Sequence, residues 1–555
     1  MSRAEAKVVA SVDVRRGWLA RASTRHDGSG RASGRFRMTR QFNTAGPCKA
    51  DLHYMLPTEL RLPELRGVID AQSYFVLHAP RQVGKTTSLL ALGQALTAEG
   101  RYAAVMVSME TGAPFEHDVG AAEGAVLGAW RARAAAWLPE ELRPPPWPAA
   151  EPGSRIRAAL EAWSQACPRP LVVFLDEIDA LSGPVLVSVL RQVRDGHPNR
   201  PGAFPWSLAL VGLRDVRDYK LASGGVDRAH SSSPFNIKVE SFTMRDFTAG
   251  EVAELYAQHT AETGQRFEND AVALAFELTQ GQPWLVNALA RQAVEVFVRD
   301  RARAVTAADV LAARDRLIER EDTHLDSLAE RLREPRVRAI IDPMLRGGEL
   351  PPLPPDDVRF VKDLGLVRET EEGALEVANP IYREIIGRSL ALSLRVSMPR
   401  VAATWIGADG GLDVEALLGA WVAFWTEHGE TLAAKSPYSE AAAHLVLLAF
   451  LHRVVNGGGR IEREYAAGTG RMDVRVAFKG AVLAIEVKAW RDGDKKGDPV
   501  GAGVEQLEGY MARVGAGAGW LVVFDQRTAA KDITERVRVE RRRGKDGREV
   551  AVVWG

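Results

Sequence analysis

The sequence has few of the residues and patterns that mark secreted, membrane and metal-binding proteins. Its 2 cysteines, Cys48 and Cys167, are too few for a disulfide framework or a cysteine-based zinc site, and they fit a reducing cytosol. No run of about 18 apolar residues is present, which argues against a membrane-spanning helix. The 11 histidines show no spacing typical of metal ligands. We therefore expect a cytoplasmic protein without a membrane segment.

The sequence also lacks a net charge. Its 72 Lys and Arg residues balance 72 Asp and Glu residues, which argues against a uniformly basic surface for nucleic acid but allows a local basic face. The chain is 46% hydrophobic and 26% charged, as folded globular proteins are. At roughly 100–200 residues per domain, 555 residues predict about three domains.

The first residues show little apolar periodicity and are rich in Arg, Ser, Gly and Ala. No apolar stretch follows that would make them a targeting peptide. We interpret residues 1–40 as a disordered basic tail, or as the result of a start codon upstream of the true one at Met38, where patterned sequence begins. An arm that binds nucleic acid is the alternative.

Residues 41–244 alternate short apolar runs with longer helical stretches. The runs are rich in Val, Leu, Ile and Phe, which is typical of buried parallel strands. They lie at 73–79, 102–109, 170–176, 206–213 and 234–242. Because helical sequence separates most of them, we predict an α/β core with an open parallel sheet covered by helices on both faces.

Three further regions follow this core. Residues 245–320 have helical spacing of Leu, Val and Ala, which predicts a small helical lid. Residues 321–397 contain helices and then two short strand-like pieces around a Glu-Glu-Gly turn, which predicts a winged helix. Residues 405–555 alternate strands and helices again and predict a mixed α/β domain, with 398–404 as a linker.

A phosphate-binding motif follows the first apolar run and precedes a helical stretch, the context in which such loops bind nucleotide triphosphates. Gly84 permits close approach of the backbone, Lys85 supplies a charge for the β- and γ-phosphates, and Thr86 offers a hydroxyl to Mg²⁺. The usual first glycine is Ala79 here, which a negative φ would tolerate. The predicted ATP-binding residues are Ala79, Pro80, Arg81, Gln82, Val83, Gly84, Lys85, Thr86, Thr87 and Asp176.

Two adjacent acids end the third apolar run. Asp176 can hold Mg²⁺ next to Thr86, and Glu177 can polarise an attacking water as a general base. Taken alone, the pair could equally be an acidic helix cap. Together with the phosphate-binding motif it predicts a site for ATP and Mg²⁺, with Thr86 and Asp176 as metal ligands and Glu177 as catalytic residue.

With these two motifs, residues 41–320 resemble the AAA and STAND groups of P-loop ATPases. The resemblance implies ATP hydrolysis and a polar sensor after the fourth strand. Arg214, Asp215 and Arg217 stand there in this sequence, and we expect either that one arginine contacts the γ-phosphate or that these charges form surface ion pairs. The turn at 281–284, Gly-Gln-Pro-Trp, resembles a STAND-type lid turn whose proline lies near the nucleotide base.

A second group of polar residues lies in the C-terminal region. Asp473 begins one predicted strand, and Glu486 and Lys488 end the next on one face, because side chains alternate along a strand. Glu440 opens the preceding helix and Gln506 lies on the following one. Such carboxylates can hold a divalent metal at a phosphodiester, with Lys488 orienting water or stabilising charge. A simple cross-strand Glu–Lys salt bridge is the alternative.

This order of residues resembles the PD-(D/E)xK nuclease superfamily over about 436–526. The resemblance implies Glu440, Asp473 and Glu486 as ligands of Mg²⁺ or Mn²⁺, and Lys488 as a catalytic residue. The whole order, P-loop ATPase, winged helix and nuclease-like domain, resembles that of bacterial AAA-like ATPases with a nuclease-like C terminus.

Two functional hypotheses follow from these resemblances. The first is an ATP-dependent enzyme that cuts DNA or RNA with a metal ion. The alternative is a STAND-type signalling switch, in which ATP sets the arrangement of lid and winged helix and the nuclease-like domain only binds nucleic acid or a partner protein. Assembly into a homo-oligomer is compatible with both hypotheses.

Overall fold

The computed structural model describes most of the chain from Thr39 to Gly555. Its gaps are 214–239, 321–330, 333, 347–351, 371, 400–402, 436–441, 456–458, 465–471, 491, 493–497, 528 and 544–546. Residues 1–38 of the predicted N-terminal tail, the sensor candidates Arg214, Asp215 and Arg217, and Glu440 lie outside the described residues. The predicted tail is two residues too long, because Arg40 is described and its Nε donates to Glu262 at 2.9 Å.

The first sheet has five parallel strands, as the apolar runs predict. They are β1 (Tyr74–His78), β2 (Ala103–Ser108), β3 (Leu171–Asp176), β4 (Ser207–Gly212) and β5 (Glu240–Thr243). Their order is β2-β3-β4-β1-β5, and each neighbouring pair is parallel. The fifth run is confirmed from Glu240 onward, where the described residues resume.

Helices cover both faces of this sheet because its side chains alternate between two apolar clusters. Along β1, Tyr74 and Val76 enter one cluster while Phe75 and Leu77 enter the other. The helices of this part are α1 (Leu65–Asp70), α2 (Lys85–Ala98), α3 (Val119–Trp137), α4 (Arg155–Ala166) and α5 (Gly183–Gly196). Because the strands are parallel, the carboxyl ends of β1 and β3 lie at the same edge of the sheet, beside the start of α2.

A helical region follows the sheet, as predicted. It contains α6 (Ala249–Thr263), α7 (Asn269–Thr279), α8 (Pro283–Gln292) and α9 (Ala307–Arg320). Thr248 and Glu251 form a reciprocal capping box that fixes the start of α6. The segment before the sheet packs here as well: the Phe42 ring lies 5.6 Å from that of Tyr256. This segment therefore lies beside the lid, although the sequence gives it no helical or strand period.

Two helices, a hairpin and a third helix come next. They are α10 (Pro335–Arg346), α11 (Pro355–Asp363), β6 (Val367–Glu369), β7 (Leu375–Val377) and α12 (Pro380–Ser397). The two strands pair antiparallel around the predicted Glu-Glu-Gly turn. These elements match the expected order, and their identification as a winged helix stays a prediction.

The C-terminal region is built on a mixed six-stranded sheet. Its strands are β8 (Gly459–Glu464), β9 (Met472–Phe478), β10 (Ala481–Trp490), β11 (Ala518–Asp525), β12 (Arg538–Arg543) and β13 (Glu549–Trp554), in the order β12-β13-β11-β10-β9-β8. Its helices are α13 (Val414–Phe424), α14 (Glu430–Lys435), α15 (Ala442–Val455), α16 (Val500–Val514) and α17 (Ile533–Arg536). The predicted strands and helix around Glu486 are all present.

One apolar cluster runs from the lid through the hairpin region into the C-terminal sheet. It contains Val252 of α6, Ile386 of α12, Phe450 of α15 and Val522 of β11. Within the described residues the three regions after the first sheet therefore share a core. None of the described helices combines the length and the apolarity needed to cross a membrane.

Candidate functional site

The loop between β1 and α2 has the backbone conformation of a phosphate-binding loop. Gln82 and Gly84 adopt positive φ values of 60° and 98°, and Lys85 begins α2. The amides at the start of this helix have no partner from an earlier helical turn, so they are available to an anion. Ala79 is buried and is not among the described residues with positive φ, so the missing first glycine is tolerated.

Lys85 is held over the start of this loop. Its ammonium donates to the carbonyl oxygens of Ala79 at 2.7 Å and Pro80 at 2.9 Å. Burial lowers the pKa of Lys85 to about 8, although Asp176 and Asp179 oppose the shift. The ammonium thus lies within the loop and is partly buried, so an anion in the cavity would meet a cation that has lost part of its hydration.

The structure brings Thr86 and Asp176 together, as the two motifs predict. The Thr86 hydroxyl donates to Asp176 Oδ2 at 2.8 Å, and the backbone N–H of Glu177 donates to Asp176 Oδ1 at 3.0 Å. Asp176 is only 5% exposed, and its burial raises the pKa of the carboxyl. Two hard oxygen ligands fit Mg²⁺, which usually keeps water and phosphate oxygens as its other ligands.

Glu177 stands at the exposed end of β3 with a φ of 58°. The Ser108 hydroxyl, at the end of β2, donates to Glu177 Oε2 at 2.7 Å. The charge of Glu177 in turn raises the pKa of the neighbouring Glu110 carboxyl. Sequence reasoning missed Ser108 and Glu110. Their position at the end of the second apolar run could have indicated them, because the carboxyl ends of parallel strands lie at one edge of the sheet.

The loop opens into a cavity of about 490 Å³. One side is formed by the phosphate-binding loop with Asp176 and Glu177, and the other by lid residues that include Pro283 and Trp284. The lid turn predicted to lie near a nucleotide base is therefore part of the cavity wall. The rest of the wall includes the segment at 43–48, which is bonded to the lid: Trp284 Nε1 donates to the carbonyl oxygen of Thr44 at 2.9 Å.

Arg61 also lines this cavity, and the sequence analysis did not identify it. It is 7% exposed and donates from Nη1 to the carbonyl oxygen of Val83 at 2.8 Å and from Nη2 to that of Arg245. Its guanidinium also lies 4.9 Å from the centre of the Phe247 ring. Burial lowers the pKa of Arg61 to about 10, so it remains a cation near neutral pH. One buried side chain therefore joins the phosphate-binding loop to the start of the lid.

The predicted C-terminal group is described in part. Glu486 is fully buried, and the Lys488 ammonium donates to Glu486 Oε1 at 2.5 Å. Asp473 lies directly opposite Glu486 in the antiparallel register of β9 and β10. Gln506 lies on α16, which packs against β10 and β11. The structure thus brings together three of the predicted residues by register.

The first sheet and its helices have the fold of a P-loop NTPase. A strand, a phosphate-binding loop and a helix are followed by a parallel sheet whose third strand ends in Asp176 beside Thr86. Searches with the sequence match no family model and no curated protein.

Several solved structures overlap with part of the chain. A Walker-type ATPase of Pyrococcus abyssi overlaps with a TM-score of 0.45 at 13% identity, over 62% of this chain and 99% of its own. Cdc6p of Pyrobaculum aerophilum gives 0.34 at 10% identity, over 71% and 94%. RuvB of Thermotoga maritima, a Holliday junction branch migration motor, gives 0.32 at 16% identity, over 58% and 89%. The fold assignment depends on the strand order and the loop, since all three TM-scores are below 0.5.

Proposed function

We propose that the chain is an ATPase of the AAA/STAND type whose nucleotide state controls a metal-dependent nuclease-like domain that acts on DNA or RNA. The observation that carries the proposal is the hydrogen bond that joins the phosphate-binding motif to the acidic end of β3. Thr86 is hydrogen-bonded to Asp176, and Glu177 follows at the mouth of the same cavity. This combination supplies a phosphate-binding loop, a cation site and a base within one cavity.

In the proposed reaction the residues of the chain have separate roles. The amides that follow Gly84 and the ammonium of Lys85 bind the triphosphate. Thr86 and Asp176 would hold Mg²⁺, which when bound neutralises phosphate charge. Glu177 accepts a proton from the attacking water, and Ser108 restricts the rotation of its carboxylate.

Hydrolysis in two variants tests the ATPase part. Glu177→Gln preserves shape and hydrogen bonding but cannot accept the proton, so it should bind ATP as the wild type does and lose most turnover, by about 100-fold or more. Glu141→Gln, a change of another exposed glutamate remote from the cavity lining, is the control and should leave turnover unchanged. Normal hydrolysis by Glu177→Gln would contradict the assignment of the base.

The nuclease-like part is supported by the mixed sheet and by the placement of Asp473, Glu486 and Lys488. Asp473 and Glu486 are opposite each other in the strand register and would hold Mg²⁺ or Mn²⁺ at a phosphodiester beside Lys488, with Glu440 as the further ligand that the resemblance implies. Lys488→Ala should abolish metal-dependent cleavage of DNA or RNA and leave ATP affinity unchanged. Lys479→Ala, an exposed lysine at the turn between β9 and β10, is the matched control.

A signalling switch is the second candidate, and one contact favours it. A Cβ atom at Gly365, two residues before β6, would lie 2.8 Å from Cβ of Pro80 in the phosphate-binding loop. The hairpin region therefore packs against this loop at Pro80. The switch is the better account if the wild type cleaves no nucleic acid with any divalent metal while ATP still changes the protease sensitivity of residues 355–377.

A further inference from the structure

Strand β10 ends in Trp490, two residues beyond Lys488, and this tryptophan belongs to a row of neighbouring rings and guanidinium groups. Cζ of Arg527 lies 3.3 Å from the centre of the Trp490 ring. The rings of Trp490 and Trp554 are 5.8 Å apart, and Cζ of Arg538 lies 4.4 Å from the ring of Trp554. Cation, ring, ring and cation thus follow one another along the edge where β10 and β13 end.

Arg527, at one end of this row, is held in a fixed orientation. Asp525, at the end of β11, accepts two hydrogen bonds from the Arg527 guanidinium, at 2.8 Å from Nε and 2.6 Å from Nη2. The backbone N–H of Gln526 donates to the carbonyl oxygen of Trp490 at 2.8 Å. The Asp525 side chain is 8% exposed while that of Arg527 is 31% exposed. The plane of the guanidinium is therefore fixed before any ligand arrives, and part of it remains open to solvent.

The row lies next to the proposed phosphodiester site. Glu486, Lys488 and Trp490 alternate along β10 and so share one face of the sheet. Successive residues on one face are about 7 Å apart. A nucleic acid strand whose phosphodiester lies at Lys488 would therefore have its neighbouring base near Trp490 and Arg527.

We propose that the Arg527–Trp490 stack binds a nucleobase and that the C-terminal domain therefore takes single-stranded nucleic acid. A guanidinium plane stacked on an indole offers its second face to another planar group, and unpaired bases stack on arginine planes and aromatic rings. In a duplex the faces of each base are covered by the bases above and below, so the stack has no access to them. The position of the stack relative to the cleaved bond rests on the proposed function, whereas the binding itself does not.

Binding of matched oligonucleotides to the full chain tests this proposal. The probe is a short fluorescein-labelled DNA strand, alone or annealed to its complement, measured by anisotropy in EDTA so that no cleavage occurs. We expect preference for the single strand, and weakening by about tenfold or more in Arg527→Ala, because one stacked base contributes a free energy of that size. Arg527→Lys keeps the charge but loses the plane, and should stay weakened.

Arg541→Ala is the control, because Arg541 is an arginine of the edge strand β12 that is 45% exposed and pairs with Glu415 rather than with a ring. It should change the affinity less than twofold, as expected for one exposed paired charge. The proposal is wrong if duplex binds as tightly as single strand, if Arg527→Ala binds normally, or if Arg541→Ala weakens binding as much as Arg527→Ala. Failure of the nuclease hypothesis is seen separately, as absence of cleavage when Mg²⁺ or Mn²⁺ is restored.

Discussion

At the scale of single residues, the hydroxyl of Ser108 determines where the carboxylate of Glu177 points. We expect Ser108→Ala to leave the Kd for ATP unchanged and to lower kcat by about 5–10-fold, because one hydrogen bond to a charged group near the surface is lost. Steady-state turnover and calorimetric binding measure the two effects. Ser154→Ala, which removes an exposed hydroxyl bonded to the Glu151 carbonyl, should change neither. A fall in ATP affinity with unchanged kcat would contradict this role.

Lys85 makes ATP binding depend on pH. Its pKa in the folded protein is about 8, and only the protonated ammonium attracts phosphate. The affinity for ATP should therefore be constant well below about pH 8 and fall as pH rises through it, approaching tenfold per unit if binding requires the proton. Titration calorimetry at several pH values measures this. The same folded pKa lies below the unfolded value, so Lys85 itself favours unfolding at neutral pH and ceases to do so as pH rises. An affinity for ATP that does not change with pH in this range would contradict the need for a protonated Lys85.

At the scale of elements, Gly281 fixes the turn that carries Pro283 into the cavity. It has a φ of 77°, and a Cβ atom there would lie 1.8 Å from the carbonyl oxygen of Phe247. Gly281→Ala should lower the free energy of unfolding by more than about 2 kcal/mol, because it adds a collision with backbone to the strain of positive φ. Urea denaturation measures it.

Gly264→Ala is the matched control for this change. Gly264 has a φ of 78°, and a Cβ atom there would meet nothing within 4 Å. It should cost only the strain of the left-handed conformation, roughly 1 kcal/mol. Equal costs at the two positions would show that the close approach of Phe247 is not what requires glycine in the lid turn.

The elements also mark how far the sequence could predict the fold. Apolar runs predicted the bounds of β1 to β4 to within a few residues, since buried strands need continuous apolar sequence. The two motifs identified Thr86 and Asp176 because each motif is a short stretch of sequence at or just after the end of a strand. The position of β1 between β4 and β5, and the packing of Phe42 against the lid, could not be predicted in this way, because they depend on contacts between residues far apart in sequence.

The residues missed at the candidate site have the same physical origin. Arg61 lies in a short segment without helical or strand period, and only folding brings it beneath Val83. Ser108 is an ordinary strand end until the parallel pairing of β2 and β3 sets it opposite Asp176. Register and burial, rather than residue type, make these side chains part of the cavity wall.

At the scale of the whole molecule, the close approach of Gly365 to Pro80 joins the hairpin region to the phosphate-binding loop. Gly365 has a φ of 75°, and an added Cβ would have to displace one of the two elements. We expect Gly365→Ala to abolish the effect of ATP on hydrogen exchange in residues 355–377 while the Kd for ATP changes little. Gly373→Ala, with a φ of 81° in the turn of the same hairpin, should retain the ATP response. An unaltered response in Gly365→Ala would separate the hairpin from the nucleotide site.

The proposed ATPase function depends on nucleotide binding at the loop between β1 and α2, and calorimetry with ATP and Mg²⁺ tests it most directly. Three proteins suffice: wild type, Lys85→Ala and Glu177→Gln. The account predicts saturable heat for the wild type, the same affinity for Glu177→Gln, and affinity lower by about 100-fold or more for Lys85→Ala, because a poorly solvated cation has been removed from the phosphates. Absence of heat with the wild type, or binding by Lys85→Ala at wild-type affinity, would contradict it.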